Sequence, residues 1–134
     1  MTERKKKLIR VFCDCDDTLI RFLDHQEKHY SGIYDGSKWE PNYELITAVR
    51  NFREFTPSLL IVWSGGGKEY AKKWARTFFN WGEPSFWCLK DSKAISIARD
   101  GDIIIDDSDR FRSAFDNTGI LAYTPEAFIE KYGG

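Results

Sequence analysis

The chain is poor in cysteine and histidine, and both shortages exclude kinds of site. Its 134 residues include three cysteines and two histidines. An odd cysteine count, with Cys13 and Cys15 almost adjacent, does not suit a disulfide framework, so a reducing compartment, the cytoplasm, is expected. These two cysteines are expected to be small buried strand residues. His25 and His29 lie in a polar segment without an evident third ligand, which argues against zinc.

The chain also lacks long apolar runs and a large net charge. No apolar run approaches the ~20 residues that a membrane-spanning helix needs, so no membrane partner is expected. With a formal net charge of −1, no overall field attracts nucleic acid. Residues 1–7 are locally basic and are expected to fray. The composition, 42% hydrophobic and 31% charged, is that of a globular protein, and the length suits a single domain spanning residues 1–134.

Short apolar runs alternate with helical patterns along the chain. Strands are predicted at residues 8–13, 58–63, 85–89, 102–105 and 119–123. Helices are predicted at residues 40–55, 68–81, 93–99, 110–116 and 125–132, the first with Pro41 in its opening turn. Trp74, Phe78 and Trp81 recur at helical spacing and should form a buried stripe. This alternation predicts an α/β fold, a Rossmann-like three-layer domain with a parallel sheet of about five strands.

Polar side chains follow four of the predicted strands. They are Asp14, Asp16, Asp17 and Thr18 after the first strand, Ser64 and Gly65 after the second, Lys90 and Lys93 after the third, and Asp106 and Asp107 after the fourth. Because ligands bind beyond the carboxyl ends of parallel strands, these turns are expected to converge on one rim of the sheet. Carboxylates packed together repel one another unless a cation lies between them, and carboxylate oxygen suits Mg²⁺. A magnesium site is therefore predicted there.

The glycine-rich segment after the second strand, SGGGK at residues 64–68, resembles a phosphate loop only in part. The GxxxxGK[ST] pattern fails because Val62 stands where its first glycine belongs and Glu69 follows the lysine. Nucleotide binding of that type is therefore not expected. What remains is a strand that leads through small residues into a helix, where free amides and the Ser64 hydroxyl can meet a phosphate oxygen.

Taken in order, the four strand ends resemble the motifs of the haloacid dehalogenase superfamily. The segment DCDDT at residues 14–18 matches the first motif, DxDxT. Ser64 is similar to the second motif, Lys90 or Lys93 to the third, and the DD at residues 106–107 to the acidic fourth. The resemblance covers nearly the whole chain. Receiver domains also use acids, a hydroxyl and a lysine, but their lysine follows the last of these groups, whereas here an acid pair comes last.

The resemblance implies a phosphatase that hydrolyses phosphomonoesters through an aspartyl-phosphate. Asp14 would be the nucleophile. Asp16 would protonate the leaving oxygen and then take a proton from the hydrolytic water. Ser64 would bind phosphoryl oxygens. The third-motif lysine, Lys90 in preference to Lys93, would balance charge in the transition state.

The resemblance also implies which residues bind Mg²⁺ and the phosphoryl group. The implied metal ligands are the Asp14 carboxylate, the Asp16 main-chain carbonyl and Asp107, with Asp106 close by or acting through water. The implied phosphate-binding residues are Asp17, Thr18, Ser64 and Gly65. The Mg²⁺ ion would let an anionic carboxylate attack an anionic phosphate.

The same resemblance implies an open site without a cap domain. Family members often carry a cap after the first motif or after the third strand. Here residues 21–39 hold only a flap-sized segment, and the second position holds a single predicted helix. An open site would accept a large phosphorylated substrate, such as a nucleic-acid end or a phosphoprotein, or a partner subunit, including a second copy of the chain. Two alternatives stay open: a non-catalytic binding or scaffold module of the same fold, and a phosphotransferase that uses the same aspartyl-phosphate.

Overall fold

Strands and helices alternate along residues 8–22, 39–79 and 85–134, which this computed structural model describes. The strands are β1 (Ile9–Cys13), β2 (Ile20–Phe22), β3 (Trp39–Pro41), β4 (Ser58–Ser64), β5 (Ser85–Leu89), β6 (Ile103–Ile105) and β7 (Leu121–Tyr123). The helices are α1 (Tyr43–Phe55), α2 (Lys68–Phe78), α3 (Ser92–Ile95), α4 (Asp109–Ser113) and α5 (Pro125–Tyr132).

Five of the strands form one parallel sheet in the order β5-β4-β1-β6-β7. The predicted Rossmann-like α/β fold with five parallel strands is thus confirmed. The strand β1 is central, and its neighbours β4 and β6 lie on either side of it. The two short strands β2 and β3 pair antiparallel to one another, outside the main sheet.

Successive side chains of the central strands point to opposite faces of the sheet, as strand geometry requires. Val11 and Cys13 pack in a cluster with α1, α2 and α5, while Phe12 packs in a second cluster with α3 and α4. Trp63 of β4 is fully buried on the second face, with its ring centroid 4.6 Å from that of Phe12. Because both faces are covered, the central strands read as continuous apolar runs.

The start of α1 differs from the prediction. Pro41 lies in β3, where it pairs with Ile20 of β2, so its predicted place in the opening turn of a helix is wrong. The helix begins two residues later, after Asn42, whose side-chain oxygen accepts a hydrogen bond of 3.2 Å from the Leu45 amide. The capping side chain, rather than the proline, therefore sets this helix boundary.

Other element ends differ by a few residues, and α3 is shorter than its predicted span of 93–99. Trp74 and Phe78 are buried as the predicted stripe requires, whereas Trp81 lies outside the described residues. Between β5 and β6 the chain forms α3 and no cap domain. Most of the other predicted capless position, residues 23–38 with His25 and His29, lies outside the described residues, as do residues 1–7. None of the described helices has the length and apolar content needed to cross a membrane.

A buried carboxylate ties together the starts of the two neighbouring strands β1 and β6. Asp102, which is 3% exposed, accepts hydrogen bonds from the Arg10 amide (3.0 Å) and from Arg10 Nε (3.1 Å). It also accepts one of 2.9 Å from the Arg99 amide. Three donors thus satisfy one buried charge, and removal of the carboxylate would leave all three without their acceptor.

We expect Asp102→Ala to lower the free energy of unfolding by about 3 kcal/mol, because it breaks a largely buried charge pair and leaves its donors unpaired. Urea unfolding followed by circular dichroism measures this loss. Asp116→Ala, which removes an exposed carboxylate, is the control and should change stability by less than about 0.5 kcal/mol. Equal effects of the two substitutions would contradict the anchoring role of Asp102.

Candidate active site

The candidate site lies at the carboxyl ends of β1 and β6, which are neighbours in the sheet. In the sheet, β4 follows on the far side of β1 and β7 on the far side of β6, so the chain leaves this pair of strands in opposite directions. A crevice opens where the connections diverge in this way, and ligands bind there in open α/β sheets. Asp14 follows β1, and its amide donates a hydrogen bond of 3.1 Å to the carbonyl of Ile105, the last residue of β6.

Three carboxylates converge at this crevice. Oxygen atoms of Asp14, Asp106 and Asp107 all lie within 4.8 Å of one another. Asp14 and Asp106 are buried, while Asp107 is exposed. The buried Thr18 hydroxyl lies between two of them, 3.3 Å from Asp14 Oδ2 and 3.4 Å from Asp107 Oδ1. The predicted convergence of the two acidic segments is therefore present in the fold.

Of the two candidate lysines, Lys90 lies against these acids. Its Nζ is 2.6 Å from Asp106 Oδ2 and 3.6 Å from Asp14 Oδ1. Its amide donates a hydrogen bond of 2.9 Å to the carbonyl of Ser64, which fixes the start of the segment after β5. Burial alone would lower the pKa of Lys90, but the charges of Asp14 and Asp106 outweigh it and raise the pKa. Lys93 is exposed on α3.

One ammonium group does not balance three carboxylates. Burial and the neighbouring Asp106 carboxylate raise the pKa of Asp14 well above its ordinary value, although Lys90 acts in the opposite direction. A divalent cation between the acids would reverse this effect, because an opposite charge favours the ionised carboxylate. Donors that are all carboxylate oxygens fit Mg²⁺ rather than a metal that prefers nitrogen or sulfur.

The two acids after β6 differ in what they already contact. Both oxygens of Asp106 accept hydrogen bonds within the chain, Oδ2 from Lys90 Nζ and Oδ1 from the Ser108 amide at 2.9 Å. Asp107 is exposed, and its Oδ1 accepts a hydrogen bond of 3.4 Å from the Thr18 hydroxyl. Asp106 is therefore suited to hold Lys90 in place, and each of the three acids could offer an oxygen to a metal.

The loop after β1 is a tight turn closed by hydrogen bonds to a single carbonyl group. The Cys15 carbonyl accepts hydrogen bonds from three amides, those of Thr18, Leu19 and Ile20. Asp17 is half-buried and has a φ of 58°, in the left-handed region that Asp tolerates better than most residues. The side-chain amide of Asn42 donates a hydrogen bond of 3.0 Å to the Thr18 carbonyl, so the cap of α1 also supports this loop.

On the opposite side of the crevice, β4 leads into α2. Ser64 is buried, and its hydroxyl oxygen accepts a hydrogen bond of 2.9 Å from the Gly66 amide. Its hydroxyl hydrogen can be donated to a phosphoryl oxygen. Gly65 is exposed beside it, and Gly67 precedes the first residue of α2 with a φ of 117°. The arrangement presents a hydroxyl and the amino end of a helix at the same rim, which suits an anion.

Asp16 has a partner that the sequence did not suggest. Its side chain is half-buried, and the Tyr70 hydroxyl donates a hydrogen bond of 2.5 Å to its Oδ1. Burial and this hydrogen bond raise the pKa of Tyr70, so the phenol keeps its proton. Tyr70 lies in the first turn of α2, and only the fold brings it to the loop after β1.

The two cysteines beside the acids are buried, as predicted, but only Cys13 lies in a strand, because β1 ends before Cys15. Cys13 and Cys15 are both buried and unpaired in disulfides. Burial and the charge of Asp14 raise the pKa of each thiol well above its ordinary value. The thiols therefore stay protonated, and neither is activated as a nucleophile.

We expect Gly67→Ala to lower the free energy of unfolding by about 1–3 kcal/mol, because a φ of 117° and ψ of 166° is a conformation that only glycine adopts without strain. Gly65→Ala is the matched control. Its new methyl group would meet no described atom within 4 Å, so its stability should match the parent. Thermal or urea unfolding measures both, and equal stability of the two variants would contradict the proposed strain.

Comparisons of the chain with protein-family models, with curated proteins and with solved structures find no match. The likeness of the strand-end motifs to the haloacid dehalogenase superfamily stays a prediction. Any functional conclusion must therefore come from the geometry of the site.

Proposed function

We propose that this chain is a Mg²⁺-dependent phosphatase that hydrolyses phosphomonoesters through an aspartyl-phosphate on Asp14, as haloacid dehalogenase phosphatases do. The observation that carries the proposal is the convergence of Asp14, Asp106 and Asp107 within 4.8 Å, with Lys90 Nζ 3.6 Å from Asp14 Oδ1. Three carboxylates with one lysine between them carry an excess of negative charge, which a bound divalent cation would offset.

Substrate binding would use both sides of the crevice. The Ser64 hydroxyl and the amides that follow it would donate to phosphoryl oxygens from the side of β4 and α2. Lys90 would contribute its positive charge from the side of β5. Asp14 and Asp107, with the Asp16 carbonyl, would hold Mg²⁺, which when bound offsets the repulsion between the attacking carboxylate and the phosphate.

In the first step, a carboxylate oxygen of Asp14 attacks phosphorus and the bond from phosphorus to the leaving oxygen breaks. Asp16 gives its proton to that oxygen, so the product leaves as a neutral alcohol. In the second step, water attacks phosphorus, Asp16 takes the water proton, and phosphate leaves as Asp14 regains its carboxylate. Each residue ends the cycle in its starting state.

The contacts of Lys90 support a role in both steps. Asp106 holds the ammonium at 2.6 Å, and Phe111 covers it, with its ring centroid 4.0 Å from Nζ. A charge fixed in this way needs little reorganisation when negative charge develops on the transferring group. The proposal therefore assigns Asp106 to the positioning of Lys90 and assigns Lys90 to the stabilisation of the transition state.

We expect Asp14→Asn to lower turnover of p-nitrophenyl phosphate by roughly 10⁴-fold or more, because an amide does not attack phosphorus. The measurement is p-nitrophenol release in Mg²⁺, together with acid trapping of a phosphorylated protein, which only the parent should yield. Asp116→Asn, at an exposed position, should keep parental activity. If Asp14→Asn turns over like the parent, Asp14 is not the nucleophile. If the parent binds phosphate esters without hydrolysing them, the chain is a binding module instead.

We expect Asp107→Ala to raise the Mg²⁺ concentration for half-maximal activity at least about tenfold, because it removes a direct carboxylate ligand. Activity measured across a MgCl₂ series gives this concentration. Asp109→Ala is the matched control, since its side chain is 95% exposed two residues further along the same rim. An unchanged Mg²⁺ requirement in Asp107→Ala would place the metal elsewhere.

A further inference from the structure

The hydrogen bond between Tyr70 and Asp16 joins two segments that are 54 residues apart in sequence. The Tyr70 hydroxyl lies 2.5 Å from Asp16 Oδ1, within hydrogen-bonding distance. We propose that Tyr70 is a positioning residue that holds the general acid and base Asp16 in the orientation needed to protonate the leaving oxygen. This inference rests on the proposed phosphatase function and extends it to a residue outside the four strand-end motifs.

The ring of Tyr70 is itself firmly held. It packs edge-on against Trp74, one turn further along α2, at a centroid distance of 6.1 Å. Trp74 is 3% exposed, stacks on Phe78 at 5.5 Å and meets Trp39 edge-on at 4.8 Å. The phenol therefore projects from an aromatic row that is part of the core. A donor on such a support fixes its acceptor more tightly than a flexible surface side chain would.

The acceptor belongs to the loop after β1, two residues beyond Asp14. Asp16 is half-buried and lies outside the strands of both sheets, and the hydrogen bond from Tyr70 restricts the rotation of its carboxyl group. Oδ1 can accept the phenol hydrogen whether Asp16 is protonated or ionised. The same contact can thus hold the group through both proton transfers. Correct orientation of a catalytic group accounts for a large part of its effect.

The choice of leaving group distinguishes a positioning role of Tyr70 from a role in packing alone. An alkyl phosphate depends on protonation of its poor leaving oxygen, whereas p-nitrophenolate leaves without much help. Tyr70→Phe keeps the ring and removes only the hydroxyl. A role in packing would change both reactions alike, and a role through Asp16 would change mainly the reaction of the alkyl ester.

The test measures kcat and kcat/KM of the parent, Tyr70→Phe and Asp16→Ala with p-nitrophenyl phosphate and with glycerol 2-phosphate, in Mg²⁺. For Tyr70→Phe we expect a loss of roughly tenfold or more in kcat with glycerol 2-phosphate and of less than about threefold with p-nitrophenyl phosphate. Asp16→Ala should show the same pattern with larger losses. The Mg²⁺ requirement and the unfolding midpoint of Tyr70→Phe should stay parental.

Tyr43→Phe is the matched control, because Tyr43 is 69% exposed at the start of α1. It should match the parent with both esters. Equal losses for Tyr70→Phe with the two esters, or no loss with either, would overturn the positioning role while the phosphatase function stands. A parent that hydrolyses neither ester in Mg²⁺ would overturn the proposed function, and the role of Tyr70 with it.

Discussion

The repulsion between carboxylates at the ends of β1 and β6 is the constraint on which the site depends. The sheet brings Asp14 and Asp106 together from the ends of neighbouring strands, and both side chains are buried there. Lys90 offsets part of the negative charge by contacting both acids. Its amide is in turn fixed to the Ser64 carbonyl at the end of β4. A cation bound between the acids would offset the remaining charge, and this connects the electrostatics of the cluster with the proposed chemistry.

The site is assembled from strand ends but is held in shape by residues behind it. Asn42 caps α1 and also donates to the Thr18 carbonyl in the loop that carries the acids. Tyr70 reaches the same loop from α2. Two helices on one face of the sheet therefore support the loop after β1 from different directions. The turn is thereby given fixed contacts, a condition that the proposed catalytic site would have to meet.

The sequence predicted the sheet well because the signals for its strands are local. Apolar runs, each followed by a turn, locate β1, β4 and β5 within about one residue, and those of β1 and β4 are covered on both faces of the sheet. The pair β2–β3 was missed because neither short segment, IRF nor WEP, is a continuous apolar run, and Pro41 then looked like the first turn of a helix. Asn42 and Tyr70 were missed for another reason. Their partners are 24 and 54 residues away, and such contacts follow from tertiary packing rather than from spacing.

The Arg10–Asp102 contact has a consequence at the opposite end of the same two strands. It lies one position before the pairs Val11–Ile103, Phe12–Ile104 and Cys13–Ile105, after which Asp14 and Asp106 follow. A slip of one residue would displace one acid by about 3.3 Å along the strand and turn it to the other side of the sheet. The ion pair thus helps to fix the register of β1 against β6. This register sets the positions of Asp14 and Asp106 relative to one another. A single insertion in β1 after Arg10 would therefore separate the two acids and also turn the buried side chains of Val11, Phe12 and Cys13 to the wrong faces of the sheet.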